Sequence, residues 1–369
     1  MKKIFAMIIL LASLISLTSC GSKYPAQKST DEESAIVMTV SFEGKKYEVK
    51  YELYRALFLN LRESVDGGDS SVWSGADKDT YVNKIDALIK ERAAEIYAIF
   101  HVADKIGINV YSEEYDELVE DYITVSVDGG YFANTEITGF DGDYDKYLEH
   151  LTQINLNYSV QDLLIRYTLA TEDIYEYYAG TINSEEFVEN AGIGKLEYTK
   201  EDVKAFYDSD ECVRVLRAFL PEKYFTEKRA EEIRQKILDA AKTGESAVAG
   251  TIISYTTTGA TDIKNGDVIA KYNLDGQFYG ELVSAAFETE MFCVSDVIKI
   301  TTGIENGYMV IYRAPKNSLH FDECYDDIAE VYVQNEIGKI IDTDAAKIAE
   351  ALTATKLLDS IDRANVSMQ

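Results

Sequence analysis

The spacing of hydrophobic and polar residues divides the chain into a helical first half and a mixed second half. Residues 36–42 are rich in β-branched side chains, and a turn at 43–44 separates them from a shorter alternating run, so this pattern predicts a hairpin. A helix is predicted to follow at 51–61. Residues 79–106 place apolar side chains at the period of an α-helix, which indicates one long amphipathic helix.

Side chains typical of helix starts indicate three more helices in the first half. Ser112 is expected to cap one of them. Ser159 with Asp162, and Thr199 with Asp202, have the spacing of a capping box, in which two side chains satisfy the first free amide groups of a helix. The first half is therefore predicted to be mostly helical.

The second half alternates short strand patterns with helix patterns. The predicted elements are a strand at 212–220, a helix at 225–241, a glycine-rich loop region, a short helix at 279–287, strands at 297–301 and 308–312, and a helix at 325–361. Strands that surround one long helix in this order are typical of a small α+β domain with an antiparallel sheet. The predicted fold class is therefore α+β, with a helical lobe and a small sheet domain.

The N-terminus has the pattern of a signal peptide. Lys2 and Lys3 precede an apolar run at 4–17, which is shorter than the roughly 20 residues that cross a bilayer. Residues 1–19 are therefore predicted to be removed on export.

Residues 17–20, Leu-Thr-Ser-Cys, resemble the lipobox of bacterial lipoproteins, in which the cysteine receives a diacylglyceryl group. Cys20 is thus the predicted lipidation site, and more than one acyl chain gives durable membrane anchoring. The alternative is a plain secretory signal with an incidental cysteine. Residues 20–34 are polar and are predicted to form a tether.

The charge balance excludes some classes of partner. The chain has 65 acidic and 36 basic residues, a net charge of -29. This charge repels nucleic acid and anionic lipid surfaces, and it attracts basic unfolded polypeptides. No nucleic-acid partner is expected. Solubility at high protein density is an alternative reason for the charge.

Cysteine and histidine spacing gives no indication of a metal or cofactor. Beyond Cys20 there are three cysteines without a CxxC pair and three scattered histidines: Cys212, Cys293 and Cys324, and His101, His150 and His320. The thiols allow one disulfide or three buried free groups, and both alternatives stay open. No structural zinc site and no cofactor are expected.

One acidic segment has part of a calcium-loop pattern. Asp141, Asp143 and Asp145 alternate as at the start of an EF-hand, but Lys146 and Thr152 stand where glycine and glutamate are needed. The segment is predicted to be a solvated acidic loop.

Five short motifs in the second half occur in the order of a known family. They are VRVLRAF at 213–219, NGDV at 265–268, AAF at 285–287, SDVI at 295–298 and GYMVI at 307–311. Their order and spacing resemble a parvulin-type peptidyl-prolyl isomerase domain, here at 210–316. Residues 35–209 resemble the N-terminal lobe of the SurA and PrsA foldases. The resemblance implies that a C-terminal helical segment, 317–369, packs back on that lobe.

The catalytic positions depart from the family pattern. The resemblance implies two histidines beneath the prolyl ring and a nearby Cys or Asp. Arg217 and Met309 occupy the histidine positions, and Asp262 is the remaining candidate for the third. Arginine has no acceptor, and methionine makes only weak hydrogen bonds. The site is therefore predicted to be degenerate, with no confident catalytic residue.

The sequence thus predicts a lipid-anchored extracytoplasmic foldase or holdase that binds newly secreted, unfolded polypeptides. The resemblance places an apolar client-binding pocket at Phe278, Leu282 and Phe287, and the alternative is that these residues are ordinary core. The 27 tyrosines favour either helix packing or an adaptable peptide-binding surface. Two other functions stay open: an active isomerase with an atypical site, and a surface lipoprotein that binds another ligand on the same scaffold.

Overall fold

The computed structural model describes residues 23–132, 135–179, 196–256, 260–272, 277–300 and 306–368. The predicted signal peptide, Cys20, and the side chains of Asp262 and Phe278 lie outside the described part. The chain forms two compact units, Met1–Tyr177 with Ile340–Gln369, and Tyr178–Lys339. The predicted domain limits at 209 and 316 stay predictions.

The elements confirm the α+β class. In chain order they are β1 (Ile36–Phe42), β2 (Lys45–Lys50), α1 (Tyr51–Asp66), α2 (Lys78–Lys105), α3 (Glu113–Asp128), β3 (Gly130–Phe132), β4 (Thr135–Ile137), α4 (Tyr144–Gln153), α5 (Tyr158–Ala179), α6 (Lys200–Asp208), β5 (Cys212–Pro221), α7 (Glu227–Ala241), α8 (Glu245–Ile253), α9 (Ala260–Asn265), β6 (Asp267–Ala270), α10 (Gln277–Glu288), β7 (Ile298–Ile300), β8 (Gly307–Ala314), α11 (Ser318–Glu323), α12 (Tyr325–Ala351), β9 (Thr353–Ala354) and α13 (Lys356–Ser360). None of the helices in the described ranges is long and apolar enough to cross a bilayer.

The predicted hairpin begins the first unit. β1 and β2 pair antiparallel, and β9 pairs with the other side of β1, so the strand order is β2-β1-β9. β2 is therefore an outer strand of this sheet. Its connecting turn contains Glu43 at a φ of 45° and Gly44 at 83°. The left-handed backbone explains why a glycine stands at the second position.

Two of the three helix caps predicted from the sequence are present. Ser112 accepts a hydrogen bond from the Tyr115 amide, and Thr199 with Asp202 forms the predicted capping box. Asp143, in the predicted acidic loop, caps α4. The predicted cap at Ser159 is wrong. The Asn157 side chain accepts from the Val160 amide at 2.9 Å instead, because α5 begins one residue before Ser159.

The C-terminal residues belong to the first unit. Arg363 lies in the interior, with Nη2 2.7 Å from Asp86 Oδ2 and Nε 3.1 Å from the Tyr54 hydroxyl. The Thr355 amide donates to the Val37 carbonyl at 2.9 Å. The predicted helix at 325–361 ends earlier, at Ala351, because the following residues pair with β1 as strand β9.

The second unit is built on an antiparallel sheet with the order β6-β5-β8-β7. One face packs against α7, α8 and α9 in an apolar cluster, and α10 covers the other face. Helices α8 and α9 and strand β6 occupy the region predicted to be loop. Their patterns are too short to be distinguished from loops by periodicity, and packing on β5 decides their structure.

The three cysteines of the described part are free thiols. Cys212 and Cys324 are buried in an apolar cluster with α6, and Cys293 is exposed. Neither a disulfide nor a full set of buried thiols is present. Among the described residues, no group of three or more histidine, cysteine and carboxylate side chains is arranged to hold a metal ion.

Candidate functional site

The predicted isomerase positions lie on the α10 side of the second unit's sheet. Strands β5 and β8 pair antiparallel, with Arg217 opposite Ile311 and Phe219 opposite Met309. Alternate residues of a strand point to the same face. Arg217 therefore projects to the same side as the neighbouring Val215, which belongs to the cluster beneath α10.

Met309 is a core residue in this structure. Its side chain is 1% exposed and belongs to a cluster with Leu282 of α10, which is also 1% exposed. The other buried members of the cluster are Val213, Val215, Ile269, Ala286, Ile300 and Ile311. Met309 therefore contributes apolar packing where the resemblance implies a histidine.

Arg217 is held by a carboxylate. Its Nε lies 2.6 Å from Asp267 Oδ2, and both side chains are partly buried. The ion pair balances the charge of the guanidinium. An arginine side chain has no hydrogen-bond acceptor, so it cannot take the role of a histidine that accepts a hydrogen bond. Sequence reasoning missed Asp267 as the partner, although it stands in the NGDV motif. In the sheet it lies opposite Val215, two residues from Arg217.

The proposed client-binding residues of α10 have different environments. Leu282 is buried, whereas Phe287 is half-buried and packs on the edge of the same cluster. The structure describes the backbone of Phe278 within α10 and that of Asp262 within α9. It therefore brings Leu282 and Phe287 together with Met309 and leaves the roles of Phe278 and Asp262 as predictions.

The first unit contains a groove that no sequence motif predicted. Its volume is about 470 Å³, and it is bounded by β2, α2, the segment 108–111 and the start of α5. Four aromatic side chains line it: Tyr47, Tyr97, Phe100 and Tyr111. The high tyrosine content was the available signal, but it did not locate the groove.

Two tyrosines form a rigid wall of this groove. The rings of Tyr47 and Tyr97 stack with centroids 5.2 Å apart. The Tyr97 hydroxyl donates to the Glu48 carbonyl at 2.7 Å, and the Tyr47 hydroxyl lies 2.9 Å from His101 Nδ1. Burial raises the pKa of Tyr47 to about 12. The wall therefore consists of neutral phenol rings at physiological pH.

Tyr111 lies at the rim with its ring accessible. Its side chain is 62% exposed and meets Phe100 edge-on, with ring centroids 6.0 Å apart. The Arg166 guanidinium lies 5.5 Å from the centre of the Tyr111 ring, and Arg166 also donates to the Val110 carbonyl at 2.7 Å. These contacts fix an exposed aromatic ring beside the groove.

The charges along β2 are balanced by nearby carboxylates. Lys45 Nζ lies 2.8 Å from Asp104 Oδ1, and Lys46 Nζ lies 2.5 Å from Glu48 Oε1. The groove therefore presents aromatic surface and paired charges.

No family model matches the chain, and no curated protein matches it. Solved structures do match. The foldase protein PrsA from Streptococcus pneumoniae is 14% identical with a TM-score of 0.24, and the match covers 85% of this chain and 92% of the PrsA chain. PrsA from Bacillus subtilis is 16% identical with a TM-score of 0.24, and the match covers 86% of this chain and 93% of the PrsA chain. The foldase protein PrsA from Lactococcus lactis is 13% identical with a TM-score of 0.23, covering 90% and 99%. All three are PrsA proteins, and those from Streptococcus pneumoniae and Lactococcus lactis are described as foldases.

Proposed function

We propose that the chain is a lipid-anchored foldase or holdase that binds newly secreted, unfolded polypeptides outside the cytoplasmic membrane, without isomerising prolyl bonds. The observation that carries this proposal is the aromatic groove along β2. The proposed partners are unfolded polypeptides and, through the lipid on Cys20, the membrane. Nucleic acid is not among them, because the net charge of -29 repels it.

The groove has the two properties that a polypeptide site needs. Tyr47 and Tyr111 offer aromatic ring surface, which binds side chains of many kinds. β2 is an outer strand among the described strands, and it forms one wall of the groove. An extended chain lying there would add backbone hydrogen bonds to β2 at positions other than the Glu48 carbonyl, which the Tyr97 hydroxyl occupies.

In the described part of the second unit, the two positions where the resemblance implies histidines carry no such group. An X-Pro bond rotates over a barrier of about 18–20 kcal/mol, and an isomerase must stabilise the twisted amide more than the planar one. Arg217 is paired with Asp267, and Met309 is buried in the core. Phe278, Leu282 and Phe287 stay the proposed client contacts on this helix. Leu282 is buried, so it would reach a client only after α10 moved.

Suppression of client aggregation tests the proposal. The mature chain from residue 20, carrying Cys20→Ser to keep it unlipidated, is mixed with a chemically unfolded test protein, and light scattering is followed. We expect suppression near equimolar ratios, and weaker suppression by Tyr111→Ser. Tyr131→Ser is the matched control, because Tyr131 is exposed in the same unit but does not line the groove. A chain that leaves aggregation unchanged would favour the other function, a lipoprotein that binds a different ligand.

A further inference from the structure

The second unit presents an exposed apolar tip between α10 and β7. It consists of Met291, Phe292 and Cys293, named here the 291–293 tip. Met291 is 51% exposed and Phe292 is 59% exposed, and the Cys293 thiol is also exposed. Adjacent large apolar side chains on a surface indicate an interaction site more strongly than isolated ones.

Phe292 has a backbone conformation that does not suit its side chain. Its φ is 66°, in the left-handed region that bulky residues rarely adopt and glycine adopts freely. Its ring is mostly exposed, so burial does not offset the strain. Strained residues of this kind occur at sites of function more often than elsewhere.

Backbone hydrogen bonds to β8 hold the tip in this conformation. The Phe292 amide donates to the Arg313 carbonyl at 2.8 Å, and the Arg313 amide donates to the Cys293 carbonyl at 3.0 Å. The Cys293 amide also donates to the Glu290 carbonyl at 3.0 Å. The strand pairing therefore fixes the backbone of the tip and keeps the Phe292 ring at the surface.

Carboxylates flank the tip in sequence. Glu288 and Glu290 are exposed just before it. Asp296 follows it, with a side chain that is 95% exposed and whose Oδ1 lies 2.8 Å from Arg234 Nη2. The Arg313 guanidinium, which donates to the carbonyls of Phe287 at 3.0 Å and Thr289 at 2.9 Å, offsets part of this charge. With Asp296 paired to Arg234, the two glutamates leave the nearby charge negative. Such a surface repels anionic lipid and favours an apolar partner with cationic neighbours.

We infer that the 291–293 tip binds polypeptide segments in which an apolar or aromatic residue is flanked by lysine or arginine. The inference rests on the proposed function, and it names the class of client segment and a contact surface for it. Phe292 and Met291 contact the apolar residue, and Glu288 and Glu290 contact the flanking cations.

Peptide binding to the unlipidated mature chain tests the inference. Fluorescent peptides with a Leu-Phe-Leu centre and either lysine or glutamate flanks are titrated, and anisotropy gives Kd. We expect lysine-flanked peptides to bind about tenfold more tightly, the effect of a few surface charge contacts. Glu288→Lys with Glu290→Lys should reverse the preference.

Phe292→Gly separates binding from stability. Glycine relieves the left-handed strain, so the thermal unfolding midpoint should stay the same or rise. Binding of the lysine-flanked peptide should weaken about fivefold, as for loss of an aromatic contact residue. Tyr224→Gly is the control, because Tyr224 is 68% exposed in the same unit; its peptide affinity should equal that of the parent chain.

Several outcomes would overturn the inference. One is unchanged peptide affinity in Phe292→Gly, and another is a lower unfolding midpoint, which would make the ring a structural element. Equal affinity for both peptide classes, in a chain that still suppresses aggregation, would remove the inference and leave the proposed function. A chain that neither suppresses aggregation nor binds peptides removes both. Vesicles of anionic lipid that bind the parent chain but not Phe292→Gly would make the tip a membrane contact instead.

Discussion

Arg217 and Asp267 form an ion pair, with Nε 2.6 Å from Oδ2, where the resemblance to parvulins implies a histidine. Both side chains are partly buried, so the pair is less screened by solvent than an exposed one. It fixes the guanidinium between β5 and β6. The pair therefore belongs to the sheet's own structure rather than to a group free to act on a substrate.

The first prediction concerns prolyl isomerisation. We expect the chain not to accelerate the cis-to-trans isomerisation of a proline peptide, which takes roughly tens to hundreds of seconds without a catalyst. Met309→Ala should likewise leave that rate unchanged, because Met309 is buried in the core beneath α10. A protease-coupled peptide assay measures both. Clear acceleration by the parent chain that Met309→Ala or Asp262→Ala abolishes would establish the atypical-isomerase function instead.

The second prediction concerns Arg214, a charged residue that is 3% exposed in the second unit. Its guanidinium donates to the carbonyls of Asn265 at 2.8 Å and Pro315 at 3.1 Å, and to Glu245 Oε1 at 2.8 Å. Arg214→Ala leaves these acceptors without their donor, so we expect a loss of about 3–5 kcal/mol of unfolding free energy. Urea unfolding followed by far-UV circular dichroism measures it.

Two variants control for the charge of Arg214. Arg214→Lys should lose a smaller amount, because a lysine keeps the charge but cannot reach three separate acceptors in the same way. Arg229→Ala removes an exposed ion pair with Glu232 and should cost much less than Arg214→Ala. If Arg214→Ala is no more costly than Arg229→Ala, the buried contacts do not stabilise the unit.

Several predictions from sequence rest on short-range signals. The hairpin, α2 and the capping box of Thr199 with Asp202 were predicted because their patterns lie within a few neighbouring residues. The end of α12 was not predicted, because it depends on the pairing of Thr353 with Thr39, which is far away in the chain. The groove and the partner of Arg217 were not predicted either, because they also depend on contacts between distant residues. Each of them is made by residues that tertiary packing brings together.

The third prediction is a pH dependence that arises from Glu33. Burial by itself raises the pKa of this carboxyl, but hydrogen bonds from Thr30, Arg55 and Asn157 outweigh it and lower the pKa to about 2. The Glu33 carboxylate therefore stabilises the folded state fully at pH values above about 4.5, the pKa of this group in the unfolded chain. That stabilisation, on the order of 2 kcal/mol, is lost as pH falls through 4.5 towards 2.

Comparison with Glu33→Gln isolates this contribution. The variant should be less stable than the parent chain at pH 7, and the difference should shrink as pH falls from 4.5 towards about 2, the folded-state pKa. Fluorescence of Trp73, the chain's single tryptophan and fully buried in the first unit, reports unfolding. A difference that is constant across this pH range would show that the Glu33 carboxyl does not titrate as described.

The fourth prediction tests the lipid anchor. Cys20→Ala in the full chain should release the protein from the membrane fraction, because Cys20 is the proposed site of acylation. Cys293→Ala is the matched control and should stay membrane-bound. Membrane and soluble fractions of expressing cells are compared by immunoblot. Retention of the Cys20→Ala chain in the membrane fraction would contradict the anchor.

The fifth prediction concerns thiol reactivity in the Cys20→Ser chain. Only one of its three cysteines, Cys293, is exposed, so only this thiol should react in the folded state. Burial raises the pKa of Cys212 to about 11 and also raises that of Cys324, so both thiols are protonated as well as inaccessible. Cys293 is exposed and should react with a maleimide in the native chain. Mass spectrometry should find one label before unfolding and three afterwards, as the three free cysteines require. Rapid native labelling of a Cys293→Ser variant would mean that Cys212 or Cys324 is accessible, and the cluster around α6 would then open far more readily than its packing indicates.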